Sequence, residues 1–369
     1  MSVRTLALDH YLTLGRSGLR VSPLCLGTMT FGVEWGFGSD EAESVAMISR
    51  FRERGGNFFD AANIYTKGHN EVILGDYFST GAGRGERDRA VIATKFGGNM
   101  WPGDPNGGGS NRKSMFSAVD DSLRRLKTDY IDLLWCHFQD VHTPIEETMQ
   151  SLDMLVKNGK VRYIGFSDHP AWVCVQAQYE ANFRSWTPLI ALQIEYSLLQ
   201  RTVEHELMPM ARALGLGVTP WSPLRGGVLS GKFDRTHAPK DDGGTRVRSE
   251  SKYLTEHTFV LVDHLHAIAA AHNATAAQVA LRWVMDRAGV TSSIIGTRTL
   301  AQLDDNLAAC ALRLSADETK QLDLLTEPPH VFPTQFLQTI STGIHGGTNI
   351  NGVAGQPWPL APQNQSERW

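Results

Sequence analysis

Eight short apolar runs, each followed by an amphipathic stretch, predict an α/β protein: one (β/α)8 TIM barrel with long loops and a C-terminal tail. The alternation calls for a parallel sheet with crossover helices. Asp60, Lys95 and His137 each stand directly after an apolar run, in NFFD, AVIATK and IDLLWCH. In a barrel of this kind the strand ends carry the chemistry. The 369 residues, 41% of them hydrophobic, allow two ordinary domains or one barrel with insertions, and the alternation favours the barrel. We place it at 11–328 and the tail at 329–369, where Phe332, Phe336, Trp358 and Trp369 are expected to anchor it as a wrap on the barrel.

Composition narrows the function. A net charge of −4 gives no reason to expect nucleic acid or an anionic membrane as a partner. The N-terminal MSVRTLALDH has no apolar run of signal-peptide type, and no stretch is apolar enough to span a bilayer. Cys25, Cys136, Cys174 and Cys310 are scattered, without metal-type spacing. A reduced, cytoplasmic protein is the expectation.

The elements follow in order. The first strand is expected over 21–26, with Gly27, Thr28 and Met29 at its end. The loop TFGVEWGFG (30–38) holds Phe31, Trp35 and Phe37, which fit either a substrate wall or local packing. A helix over 40–54 stops at Gly55-Gly56. The second strand carries Asp60. No amphipathic run starts there, so Asp60 and Tyr65 are expected to share one strand-end surface. A helix over 70–78 follows. GAGRGERDR (81–89) precedes a strand instead of following one, and is no dinucleotide fingerprint.

The third strand ends at Lys95, ahead of a long Gly-rich loop with Trp101 in its middle. Phe116, Val119, Leu123 and Leu126 make a helical core stripe. The fourth strand ends at His137, with Phe138 and Gln139 beyond it. His142 is near, but no carboxylate completes a metal site, so metal is discounted. Thr143-Pro144-Ile145-Glu146 reads as a capping box, its helix stopping at Asn158-Gly159.

Strands over 161–166, 190–193 and 216–219 then lead to Ser167 and Asp168, to Gln193, and to Trp221. In SPLRGGVLSGKF (222–233), Gly226 to Lys232 has phosphate-loop spacing, but Phe233 stands where that motif needs Ser or Thr. A polar surface loop covers 234–251, and helices follow over 258–271 and 276–287. The second of these opens with a Thr275/Gln278 capping box. The last strand, 293–295, runs into Gly296, Thr297 and Arg298, and a helix from 299 carries Gln302 and Asn306 one turn apart.

Asp, Tyr, Lys and His at strand ends make a proton-transfer set. On spacing alone, a buried ion pair with a capping histidine reads equally well. These residues, in this order and context, resemble the aldo-keto reductase superfamily, in particular its long-chain bacterial members and their potassium-channel β-subunit-like relatives. The resemblance covers about 11–325. It implies NADP(H) as cofactor and a small-molecule carbonyl compound as substrate, and leaves the oligomeric state open.

The resemblance also implies roles. Tyr65 would be the general acid, with Lys95 lowering its pKa, Asp60 holding Lys95, and His137 orienting the carbonyl. Gly27, Thr28 and Met29 would lie beside the nicotinamide. Ser167, Asp168 and Gln193 would meet its carboxamide, although the family has Asn where this chain has Asp168. Trp221 would stack on the ring. Ser222, Leu224, Gly226 and Lys232 would wrap the pyrophosphate. Gly296, Thr297, Arg298, Gln302 and Asn306 would take the adenosine 2′-phosphate at a helix N-terminus. Trp35, Trp101 and Phe138 would face the substrate. The rival readings are a Schiff-base lyase using Lys95, a glycoside hydrolase lacking its second carboxylate, and an NADPH-binding redox-sensing subunit with little turnover.

Overall fold

A computed structural model describes residues 7–237, 239, 246–329 and 331–369. Leu12–Thr13 (β1) and Arg20–Val21 (β2) pair antiparallel as a hairpin. Eight parallel strands follow: Leu24–Gly27 (β3), Phe58–Asp60 (β4), Val91–Phe96 (β5), Ile131–Cys136 (β6), Val161–Ser167 (β7), Leu189–Glu195 (β8), Gly217–Trp221 (β9) and Ser293–Gly296 (β10). Their order is β10-β3-β4-β5-β6-β7-β8-β9. The seam between β9 and β10 is bridged where Val218 N donates to Gly289 O (3.1 Å) and Thr291 N donates to Val218 O (2.8 Å). The sheet is therefore a nearly closed (β/α)8 barrel, as the alternation predicts.

Period-2 alternation sorts the strand residues. Cys25, Phe58, Ala93, Leu133, Trp135, Ala191 and Ile294 point inward and form one cluster with Leu14 and Val21 of the hairpin. Their neighbours Leu24, Leu26, Phe59, Ile92, Leu134, Ile164 and Leu192 point outward, into a larger core beneath the helices. Both faces of the sheet are thus covered, which explains strands that read as continuous apolar runs.

The helices of the outer layer are Glu41–Glu53 (α1), His69–Ser79 (α2), Arg112–Leu126 (α3), Ile145–Lys157 (α4), Ala171–Arg184 (α5), Leu207–Leu214 (α6), Glu256–Ala271 (α7), Ala276–Met285 (α8), Leu300–Ala308 (α9) and Ala316–Leu325 (α10). Asp40, Asn111, Thr255, Thr275, Thr299 and Ser315 cap their helices through side chains. Among the described residues no helix is long and apolar enough to cross a membrane.

Three local expectations are corrected and one element is added. The stretch 21–26 is not one strand: Val21 pairs with Leu12 in the hairpin, and Leu24–Gly27 pair with β10. Pro23 between them has no amide hydrogen to continue a ladder. Thr143 does not cap α4, because its hydroxyl donates to Asp140 Oδ2 (2.7 Å) and the helix starts after Pro144. Only half of the box at α8 forms: Thr275 accepts from Gln278 N, while the Gln278 side chain donates to Asp305. Helix α10, opened by a true Ser315/Glu318 box, is an addition to the predicted elements.

Residues 328–369 form a separate unit. Within it lie the helix Thr334–Ile340 (α11) and a hairpin of Asn349–Ile350 (β11) and Val353–Ala354 (β12). None of its described residues is buried.

Candidate active site

The inward row of each strand continues, two residues on, to the C-terminal mouth of the barrel. Phe58 is followed by Asp60, Ala93 by Lys95, Trp135 by His137, Ala191 by Gln193 and Cys25 by Gly27. One alternation thus packs the interior with apolar side chains and ends it with polar ones.

Lys95 is wholly buried. Its ammonium donates to Asp60 Oδ2 and to Ala61 O, the latter at 2.9 Å. Gln193 Nε2 donates to the other Asp60 oxygen at 2.9 Å. Lys95 Nζ lies 4.7 Å from the centre of the Tyr65 ring, and that ring meets His137 edge-on at 5.7 Å. Asp60, Tyr65, Lys95 and His137 therefore form one cluster.

The loop that presents Tyr65 is held by Asn70 at the start of α2. The Asn70 amide donates to Tyr65 O (2.6 Å) and Ala62 O (2.9 Å) and accepts from the Thr28 hydroxyl (3.0 Å). Thr66 turns the loop with a positive φ of 44° and donates to Phe31 O.

Electrostatics assign the roles. Burial disfavours a charged Lys95, but Asp60 and then Tyr65 outweigh it and hold the ammonium above its ordinary range. An enclosed ammonium held this way is no free amine for a Schiff base. Burial also raises the Tyr65 hydroxyl, and the Lys95 charge only partly opposes it. The Lys95 charge does lower that pKa, but desolvation outweighs it, and the phenol stays protonated in the neutral range. Burial and then the Lys95 charge push His137 down to about 2, so its ring is neutral. His137 Nδ1 is buried without a partner.

The cluster opens into a cleft of about 530 Å³. Of the expected site residues, Gly27, Met29, Trp35, Asp60, Tyr65, His137, Phe138, Ser167, Asp168, Gln193, Trp221, Ser222, Leu224, Gly226, Lys232, Gly296, Arg298, Gln302 and Asn306 line it. Lys95 lies behind Tyr65 and Asp60. Thr28 and Thr297 do not line it: Thr28 braces Asp60 O and Asn70, and Thr297 donates to Met47 Sδ. Trp101 belongs elsewhere, bordering a separate cavity of about 20 Å³ beside Asn63. The Gly-rich loop folds back on itself there, with Met100 N donating to Gly107 O and Gly109 N to Gly97 O.

Asp168, with φ of 53°, accepts from Trp221 Nε1 at 3.0 Å. Lys232, Arg246 and Arg298 all border the same cleft, and among the described residues none is in an ion pair with a carboxylate. The cleft walls and then the Arg298 charge push Lys232 below its ordinary range, although part of that side chain reaches solvent. Three such cations at one cleft, with no ion-paired carboxylate among the described residues, make a cradle for a polyanion.

A family model for the aldo/keto reductase family matches residues 23–327. The chain belongs to the aldo/keto reductase family. An uncharacterized oxidoreductase of Bacillus subtilis is 39% identical over 323 residues, which are 85% of this chain and 95% of that protein. A norsolorinic acid reductase of Aspergillus flavus is 37% identical over 342 residues, covering 89% of this chain and 84% of its own. An aryl-alcohol dehydrogenase of Pestalotiopsis microspora is 33% identical over 335 residues, covering 89% and 85%. As an aldo/keto reductase, the chain is an oxidoreductase of a family that acts on small carbonyl compounds with nicotinamide cofactors.

The cleft also contains residues that the sequence does not single out: Thr30, Ile64, Pro223, Gly227, Ser230, Arg246, Ala277 and Asp305. Arg246 comes from the loop read as plain surface. The Arg246 Cβ lies 4.0 Å from where a Cβ on Gly226 would sit, an approach that no local pattern reveals.

Proposed function

We propose that this aldo/keto reductase reduces aldehydes and ketones to alcohols with NADPH, and that aromatic carbonyl compounds are its substrate class. The convergence of Tyr65, Lys95, Asp60 and His137 at one strand-end cleft carries the reading. The residues present fit the cofactor: Trp221, Ser167, Gln193 and Asp168 offer an aromatic face and amide partners for the nicotinamide, and Lys232, Arg246 and Arg298 suit its phosphates. Lys232 beside Gly226 and Gly227 would take the pyrophosphate. Arg298, with Gln302 in the first turn of α9 and Asn306 one turn further on, would take the 2′-phosphate. The bound dinucleotide supplies a hydride.

The chain's own residues handle the proton. As the carbonyl carbon gains the hydride pair, its oxygen takes the Tyr65 hydroxyl proton, and the product is an alcohol. Lys95 stabilises the tyrosinate left behind, which then recovers a proton from solvent. Asp60 fixes Lys95 and offsets the cost of burying it. Neutral His137 has one N–H to donate to the carbonyl oxygen. Trp35, Tyr65 and Phe138 wall the cleft with rings, suited to flat substrates. The aryl-alcohol and norsolorinic acid enzymes among the relatives support that choice.

The test pairs binding with turnover. NADPH should quench tryptophan fluorescence, and aromatic aldehydes should be reduced. Tyr65→Phe should keep its NADPH affinity and lose roughly 10²–10⁴-fold in turnover. Wild-type turnover in that variant would make Tyr65 structural and overturn the mechanism. Tight NADPH binding with negligible turnover on every carbonyl tried would favour a redox-sensing subunit instead.

A further inference from the structure

Asp168 enters the proposed function only as a hydrogen-bond partner, which leaves its charge unused. It follows β7 directly, and its positive φ of 53° turns the side chain toward the end of β9. Asp168 Oδ1 accepts from Trp221 Nε1 at 3.0 Å, and Ser167 Oγ reaches Oδ2 at 3.4 Å. Ser167 and Gln193 pair in register across β7 and β8, and the Asp168 amide donates to Gln193 O at 3.1 Å. The carboxylate is thus set at the edge of the Trp221 ring, among the groups that would hold a nicotinamide. A neutral amide would accept the same indole hydrogen bond, so the hydrogen bond alone does not call for a charge.

The charge distinguishes the two redox forms of the cofactor. An oxidised nicotinamide ring is a cation, and a reduced one is neutral. We infer that the Asp168 carboxylate tunes the bound cofactor, favouring the oxidised ring over the reduced one and so biasing the site toward carbonyl reduction. This inference rests on the cofactor assignment proposed above. Asp168 touches solvent on one side, so the attraction is that of a screened pair, roughly three- to tenfold in relative affinity.

The experiment measures dissociation constants of NADP+ and NADPH at pH 8 for the wild type and Asp168→Asn. It adds 2′,5′-ADP, which has the phosphates and no nicotinamide. The asparagine keeps an oxygen to accept from Trp221 and removes the charge; its NH2 donor, in place of the oxygen that accepts from Ser167, meets both redox forms alike, so the ratio reads the charge. We expect NADP+ to weaken roughly three- to tenfold relative to NADPH in the variant, with 2′,5′-ADP binding unchanged.

Asp168→Gly, which suits the positive φ, should shift the ratio in the same direction and guards against a misfolded asparagine variant. An unchanged ratio in both variants overturns the inference while leaving the cofactor assignment intact. A parallel loss of 2′,5′-ADP also overturns it, because the effect would not be at the nicotinamide. A wild type that binds neither dinucleotide fails earlier, and takes the cofactor assignment with it.

Discussion

At the scale of single residues the site works by moving protonation states away from their ordinary ranges. His137 is the sharpest case. Its folded-state value lies near 2 and its unfolded value near 6.5. Between those values the unfolded chain binds a proton that the folded chain refuses. Stability from this group is complete above pH 6.5 and falls as pH falls below it, by up to about 1.4 kcal/mol per pH unit. His137→Gln should flatten the urea stability profile between pH 6.5 and 4, and an unchanged slope would mean that His137 protonates in the fold. Arg298 carries a second prediction. A bond from a charged group to a phosphate contributes about 1.5–3 kcal/mol. Arg298→Ala should therefore weaken NADPH roughly 10- to 150-fold and NADH little. Equal losses would assign Arg298 to loop support, not phosphate reading.

At the scale of elements, the barrel interior depends on one exchange of volume between neighbouring strands. Trp135 on β6 is fully buried and pairs in register with Gly165 on β7. A Cβ on Gly165 would lie 2.5 Å from the Trp135 ring and 2.9 Å from Ala191 O. Neither neighbour is the free end of a flexible chain. Gly165→Ala should thus destabilise the protein by about 1–3 kcal/mol through overpacking, seen as a lower urea midpoint at unchanged slope. A midpoint equal to wild type would show that β7 can move. This layer lies directly beneath His137 and Ser167, so a shift in it would also reach the cleft.

At the scale of the whole molecule, the described buried hydrophobic residues all fall between Leu8 and Leu322. The unit 328–369 leaves Phe332, Leu360 and Trp369 largely exposed. Among the described residues, the last 42 by numbering contribute none of the buried hydrophobic side chains. A chain ending at Glu327 should fold and melt within about 4 °C of the full chain, a shift corresponding to about 2–3 kcal/mol for a domain of this size. Failure of the shortened chain to fold cooperatively would show that the tail supplies core contacts.

The sequence by itself determined the fold class and most strand ends, because buried parallel strands and capped amphipathic helices are written in local periodicity. Asp60, Lys95 and His137 were legible as polar residues closing apolar runs, and Tyr65 became legible through family resemblance. Local pattern could not divide 21–26, where pairing partners far along the chain decide where a strand begins. It also could not place Trp101 or Arg246, since loops of 14 and 18 residues leave their direction to packing. The sign of the Tyr65 shift was likewise a tertiary matter. Residue types name the charges in a site, but only their burial and separation decide whether desolvation or attraction prevails.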